Sequence, residues 1–250
     1  MSDLVQFGFL IVVGILAGAI NTLAGGGSLL TLPILIFMGL PPNVANATNR
    51  IGIVFQAFVG TAGYRSKGVS NFPFNLYLGV AALAGSLIGA QIAVDISGAI
   101  FNKVLAVIML IVVAIIVFKP KTKSLNFPER LTGKYLFYSI VGFFLIGIYG
   151  GFINAGIGFV IILFLNNVNR LMLIKTNATK VSVVFIYTAG ALAVFAYNGT
   201  VDWMVGLVLG LGTSLGAWWS SRWSVDRGEG VIKIAMIIMV SLMSVKLWFF

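Results

Sequence analysis

Residues 4–39 read LVQFGFLIVVGILAGAINTLAGGGSLLTLPILIFMG. An apolar run at 4–23 is long enough for one bilayer crossing, which takes about 20 residues. It is followed by Gly25-Gly26-Gly27 and then by a second apolar run, 28–39, too short to cross alone. Glycine costs a helix roughly 1 kcal/mol per residue. It also admits positive φ and close approach of other backbone. Non-helical backbone at membrane depth survives only inside protein or along a wet cavity. The stretch therefore predicts a spanning helix, a buried break and a half-helix.

The rest of the chain repeats this apolar character. Residues 4–49, 68–94, 135–169, 181–201 and 203–221 carry no Asp, Glu, Lys or Arg. Of the 250 residues, 60% are hydrophobic and 9% charged, against about 25% charged in a soluble domain. The expected fold class is an all-α polytopic membrane protein. Ten apolar segments follow from the breakers: 4–23, 28–39, 44–64, 73–94, 98–118, 135–153, 158–168, 174–197, 202–221 and 230–249. The short ones, 28–39 and 158–168, are expected to be broken or re-entrant. Asp3 is the only charge near the start, so the first segment lacks the basic flank of a signal peptide and is expected in the mature protein.

Shifted by 131 residues, the chain matches itself without gaps. Ala24, Gly25 and Gly27 fall on Ala155, Gly156 and Gly158. Asn46, Ala47 and Thr48 fall on Asn177, Ala178 and Thr179, and Asp95 falls on Asp226. Asn, Thr and Asp are scarce here, so these matches carry the weight. The expected organisation is a first transmembrane repeat over 1–118, a linker at 119–131 and a second repeat over 132–250. Five segments per half is an odd number, so the halves are expected to enter the membrane from opposite sides. With the linker region (Lys119, Lys121, Lys123, Arg130, Lys134) in the cytoplasm, only Arg50, Lys103 and Lys246 fall outside. The positive-inside rule favours that orientation. Both termini are then external. Inverted repeats with broken helices are a recurring transporter architecture, with the substrate at the repeat interface.

Several function classes drop out. Without Cys there is no disulfide or thiolate chemistry. Without His, the usual general base and commonest metal ligand are missing. No phosphate-binding Gly-Lys-Ser/Thr loop is present, so an ATPase is not expected. The net charge of +10 sits in loops between apolar runs, which argues for orientation in lipid and against nucleic acid. No enzyme activity, cofactor or metal is expected. No Asp or Glu lies mid-segment, so the usual proton relay of a pump is absent. The expected partners are the lipid bilayer and a small anionic substrate.

The candidate site residues cluster at the breaks and at the duplicated motif. In the first break they are Asn21, Gly25, Gly26, Gly27 and Ser28, with Asn154, Gly156 and Gly158 in the second. A helix starting near Ser28 directs free N–H groups toward an anion. The motifs add Asn46, Thr48, Asn49 and Arg50, and Asn177, Thr179 and Lys180. Asn and Thr supply hydrogen-bond donors, and Arg offers a planar fork for an oxyanion. Arg50→Ala or Asn46→Ala is expected to abolish transport while leaving the protein folded. Lys180 is the weaker pathway candidate, since a cytoplasmic Lys that snorkels to headgroups is ordinary. Gln56 and Tyr187, at aligned positions, are candidate pathway lining or interhelical hydrogen bonds. Gly85 and Gly89 form a small-residue packing stripe, Asp95 and Asp226 are loop charges or caps, and Trp203, Trp218, Trp219, Trp223 and Trp248 form an interfacial belt.

With these motifs in view, the chain resembles the TauE/SafE sulfite exporter family. The resemblance rests on 18–28, Pro33, Gly39, Pro41, Ala45-Asn46-Ala47-Thr48-Asn49 and the duplicated Thr176-Asn177-Ala178-Thr179-Lys180. It implies an inner-membrane permease of bacterial type that moves sulfite, sulfonates or related sulfur anions, mostly outward. It maps two polar regions onto 21–28 with 46–50 and 154–158 with 176–180. The second break departs from the first, with Ile157 and Phe159 in place of Gly26 and Ser28. The alternative expectation is an anion or small-solute channel whose paired half-helices are similar in arrangement to aquaporin-type pores.

Overall fold

The computed structural model describes residues 3–117 and 128–227. Segment 230–249, Trp248, Lys233, Lys246 and most of the linker lie outside the described residues. All regular structure among the described residues is helical: α1 (Asp3–Leu23), α2 (Ser28–Phe37), α3 (Pro42–Ser66), α4 (Phe74–Asp95), α5 (Gly98–Val117), α6 (Gly133–Phe152), α7 (Ile157–Val168), α8 (Leu173–Tyr197) and α9 (Trp203–Arg227). The short segments are short helices, of 10 residues in α2 and 12 in α7. α1, α4, α6 and α8 are each long and apolar enough to cross a membrane. α3 and α9 are as long as α8 but interrupted by polar residues.

Local chemistry explains the boundaries. Pro41 and Pro42 open α3, where a missing N–H costs nothing and φ is preset. Gly25 and Gly156, aligned in the sequence, both hold positive φ (89° and 72°), Gly25 just after the end of α1 and Gly156 as the N-cap of α7.

α1 packs on α9, and α4 packs on α6. α3 lies against α9 and α8, and α8 also lies against α4. α3 and α8 run antiparallel. Ala47 clusters with Ala191 and Phe195 toward one end, and Tyr64 with Ala178 and Val181 toward the other. Contacts recur at aligned positions. Gly79 of α4 sits on Ile186 of α8, while its counterpart Gly210 of α9 sits on Phe55 of α3, the residue aligned with Ile186.

The outward faces are apolar. Leu207, Leu211 and Leu215 on α9, and Val80, Leu87 and Ile88 on α4, are exposed, as lipid-facing positions must be. Trp203 lies at one end of α9, with Trp218, Trp219 and Trp223 toward the other, the last two stacked.

Gly85 and Gly89 do pack α4 on α6: an added Cβ would lie 2.0 Å from the Phe144 and Ile148 carbonyl oxygens respectively. Gly89→Ala is expected to destabilise the protein by about 1–3 kcal/mol through overpacking. Gly8→Ala, with open space around its Cβ, should be neutral or stabilise by up to about 1 kcal/mol. Thermal unfolding in detergent distinguishes the two.

Candidate functional site

The two breaks are buried and meet each other. Thr22–Leu29 and Ile153–Phe159 are buried throughout. A Cβ on Gly25 would lie 2.4 Å from the Cα of Gly158, and one on Gly158 would lie 2.2 Å from the Cα of Gly25. Only two glycines permit such backbone contact.

Each interrupted helix leaves terminal carbonyls that need donors. A cation from the other half supplies them. Arg50 of α3 is fully buried. Its Nη1 donates to the Gly150 carbonyl, and its Nη2 donates to Gly151 at 2.9 Å and Phe152 at 3.2 Å. Asn46, one turn earlier, donates from Nδ2 to Phe152 at 3.0 Å. These are the last carbonyls of α6. The mirror arrangement serves α1. Lys180 of α8 donates from Nζ to the Asn21 and Thr22 carbonyls, both at 2.9 Å, and to Asn177 Oδ1 at 2.7 Å. Asn177 Nδ2 donates to the Leu23 carbonyl at 2.9 Å. The negative end of each helix dipole thus faces a positive charge.

Lys180 is therefore not a snorkelling residue. It is 2% exposed, and its three N–H groups are committed within the protein. Nor does Arg50 present a free fork, although its buried Nε has no hydrogen-bond partner among the described residues. Both cations lack a carboxylate partner among the described residues, where the ion pairs are Lys67–Asp226 and Lys175–Glu129 at 2.7 Å each. Half a charge from each helix end offsets only part of each cation.

Two small cavities lie at the breaks. One is lined by Asn21, Gly27, Ser28, Thr31, Asn49 and Gln56, among others. The other is lined by Asn21, Gln56, Asn154, Ile157, Gly158 and Lys180, with Val181 and Val184. They share Asn21 and Gln56, whose side chains hydrogen-bond from Asn21 Nδ2 to Gln56 Oε1. Each leaves about 10 Å³ of free space, close to the minimum for one water. A larger void of about 360 Å³ lies away from the breaks, among Phe58, Phe72, Phe185 and Arg65. Its walls are mostly apolar and Phe58 and Phe72 are exposed, which suits acyl chains better than an oxyanion.

The structure brings Asn21, Gly27, Ser28, Asn49, Gln56, Asn154, Gly158 and Lys180 to these cavities. The other candidates are engaged elsewhere. Asn46, Asn177 and Arg50 hold helix ends. Thr48 Oγ1 accepts from the Asp202 amide at 2.9 Å, and Thr179 Oγ1 accepts from Asn71 Nδ2 at 2.7 Å. Tyr187 donates to Asn154 Oδ1 at 2.6 Å. Gln56 both lines the cavities and makes the interhelical bond, donating to Thr22 Oγ1 at 3.0 Å. Thr31 and Thr213 also line the first cavity and were not among the sequence candidates. Thr31 could have been found, since it lies about one turn beyond Ser28 and shares its face. Thr213 could not, because only tertiary packing brings α9 there.

A family model described as sulfite exporter TauE/SafE matches residues 10–247. The chain is 29% identical to "probable membrane transporter protein ORF9" of a Sinorhizobium species, over 96% of this chain and 91% of that one. It is 28% identical to a probable membrane transporter protein of Haemophilus influenzae, over 94% and 91%. It is also 28% identical to "probable membrane transporter protein YfcA" of Escherichia coli K12, over 96% and 88%. No solved structure matches the chain significantly. A match along nearly the whole length, with apolar helices and lipid-facing surfaces, makes this an integral membrane protein that belongs to the TauE/SafE sulfite exporter family of membrane transporters.

Proposed function

We propose that the protein is a secondary carrier that exports sulfite or related small sulfur oxyanions such as organosulfonates across a bacterial inner membrane. The single observation that carries this reading is the pair of buried cations, Arg50 and Lys180, at two touching helix breaks without carboxylate partners among the described residues. Such a centre favours a negative solute and disfavours a cation.

In this reading residues 1–118 and 132–250 are inverted repeats joined by the linker at 119–131, and both termini lie outside. The antiparallel run of α3 and α8 and the crossed caps on α1 and α6 support the inversion. The orientation is supported by contacts that draw the basic turns together: Lys67 to Asp226, Arg222 to Ser66, Lys175 to Glu129, and Asn71 to the Lys175 carbonyl. Positive charge collected at one end is what a cytoplasmic face carries. Water-sized cavities favour alternating access over an open pore, because an oxyanion enters only after the halves rock apart.

Purified protein in liposomes should give saturable sulfite flux that is stimulated by sulfite on the opposite side. Thiosulfate, sulfoacetate, taurine and plain carboxylates define the range. Non-saturating flux with single-channel steps would replace the carrier with a pore. No flux of any sulfur anion would reject the reading.

A further inference from the structure

The repeat predicts equal halves, but the two breaks are chemically unequal. In the first, Ser28 is 3% exposed and its Oγ has no hydrogen-bond partner among the described residues. It opens α2, whose N-cap, Gly27, offers no side-chain hydrogen bond. Beside it, Thr31 donates to Asn49 Oδ1 at 2.8 Å. That bond occupies Asn49 Oδ1 and orients the amide, whose Nδ2 is a donor. Ser28 and Asn49 line the same cavity. On the far side of the Asn21–Gln56 pair lies the second cavity, with Lys180 in its wall.

The aligned positions in the second half are filled differently. Phe152 stands for Asn21, Phe159 for Ser28, Ile162 for Thr31 and Tyr187 for Gln56. Phe159 and Ile162 belong to the hydrophobic core, and Phe152 packs against it. The Tyr187 hydroxyl is already bound to Asn154. Aromatic rings thus occupy the volume and offer an anion no free donor.

We propose that the carrier holds one anion per chain, at the first break only. The anion sits between the Ser28–Asn49 end of α2 and Lys180 once the Asn21–Gln56 pair parts, while Phe152, Phe159 and Tyr187 close the repeat-related place. Ser28 and Asn49 supply hydrogen bonds. Lys180, with its three N–H groups committed to Asn21, Thr22 and Asn177, supplies charge alone. Merging the two cavities turns two water-sized holes into one site for a small oxyanion. This inference rests on the transport reading above, and the test separates the two.

Calorimetric titration of the full-length protein in detergent uses sodium sulfite and, as a small anion independent of sulfur chemistry, sodium bromide. Sulfite should bind with one ion per chain. Ser28→Ala removes a hydroxyl with no hydrogen-bond partner among the described residues, so its thermal midpoint should equal that of the wild type. Its sulfite affinity should fall about tenfold, the loss of one hydrogen bond to a charged group. Phe159→Leu should change neither affinity nor stoichiometry. Two ions per chain, or unchanged affinity in Ser28→Ala with a loss in Phe159→Leu, would overturn the single site. Ser28-dependent bromide binding without sulfite binding would keep the site and reject the sulfur-anion substrate. Binding of neither anion would reject both.

Discussion

Replacing Arg50 with alanine is expected to destabilise the folded protein by about 3 kcal/mol, read as a lower denaturation midpoint in detergent. The guanidinium serves three carbonyls at the end of α6. A hydrogen bond to a charged group contributes about 1.5–3 kcal/mol, whereas interhelical hydrogen bonds in membranes average nearer 0.6. Three bonds from one side chain, made where water is excluded, fall between those limits. Arg50→Lys keeps the charge and loses the fork, so a cost of about 1 kcal/mol is expected. Lysine already serves the same purpose at the end of α1, where Lys180 reaches two carbonyls. These contacts revise the expectation that Arg50→Ala silences transport in an intact fold. Arg50 holds the broken helix, and its removal should reduce the folded fraction first. Unchanged stability in Arg50→Ala would show that the carbonyls find other donors.

Gly25→Ala should cost about 4 kcal/mol and abolish transport, the largest effect expected from a single methyl group here. Two terms add. A non-glycine residue at φ of 89° costs about 1–2 kcal/mol. The new Cβ also meets the backbone of Gly158 and Phe159 within 2.9 Å, where no side chain can turn aside, adding about 1–3 kcal/mol of overpacking. Gly158→Ala meets the same crowding from the other side, but Gly158 lies in α7 and is not among the positive-φ glycines. It should cost less, by about the conformational term. Equal losses in both variants would mean that contact alone sets the effect. Wild-type stability in Gly25→Ala would remove the touching breaks from the account.

Much of this protein is legible in its sequence because a bilayer restricts backbone so strongly. Uncharged runs mark helices, and glycines at 25 and 156 mark the two breaks between them, since a buried polar backbone must either stay helical or be paired inside protein. α2 and α7 appear as short helices where the short segments were read, and the repeat aligns α3 with α8 end to end. Gly85 and Gly89, spaced as a packing stripe, do hold α4 against α6. The polar residues were harder to place. Asn46, Arg50, Asn177 and Lys180 stand out in the sequence because such residues are costly in lipid, which says that each must have a partner without saying which. A substrate and a helix end are equally able to accept from them.

The amino-acid sequence by itself determined that the chain is a bundle of apolar helices broken at two glycine-containing stretches, with scarce polar residues gathered near them. That information is local, carried by hydrophobic run length and by glycine conformation. Only the tertiary structure decided that the breaks touch, that each cation crosses to the opposite half to hold its carbonyls, and that Ser28 is left with an unused hydroxyl. Hydrogen-bond partners more than a hundred residues away are chosen by packing geometry, and no periodicity along the chain encodes that choice.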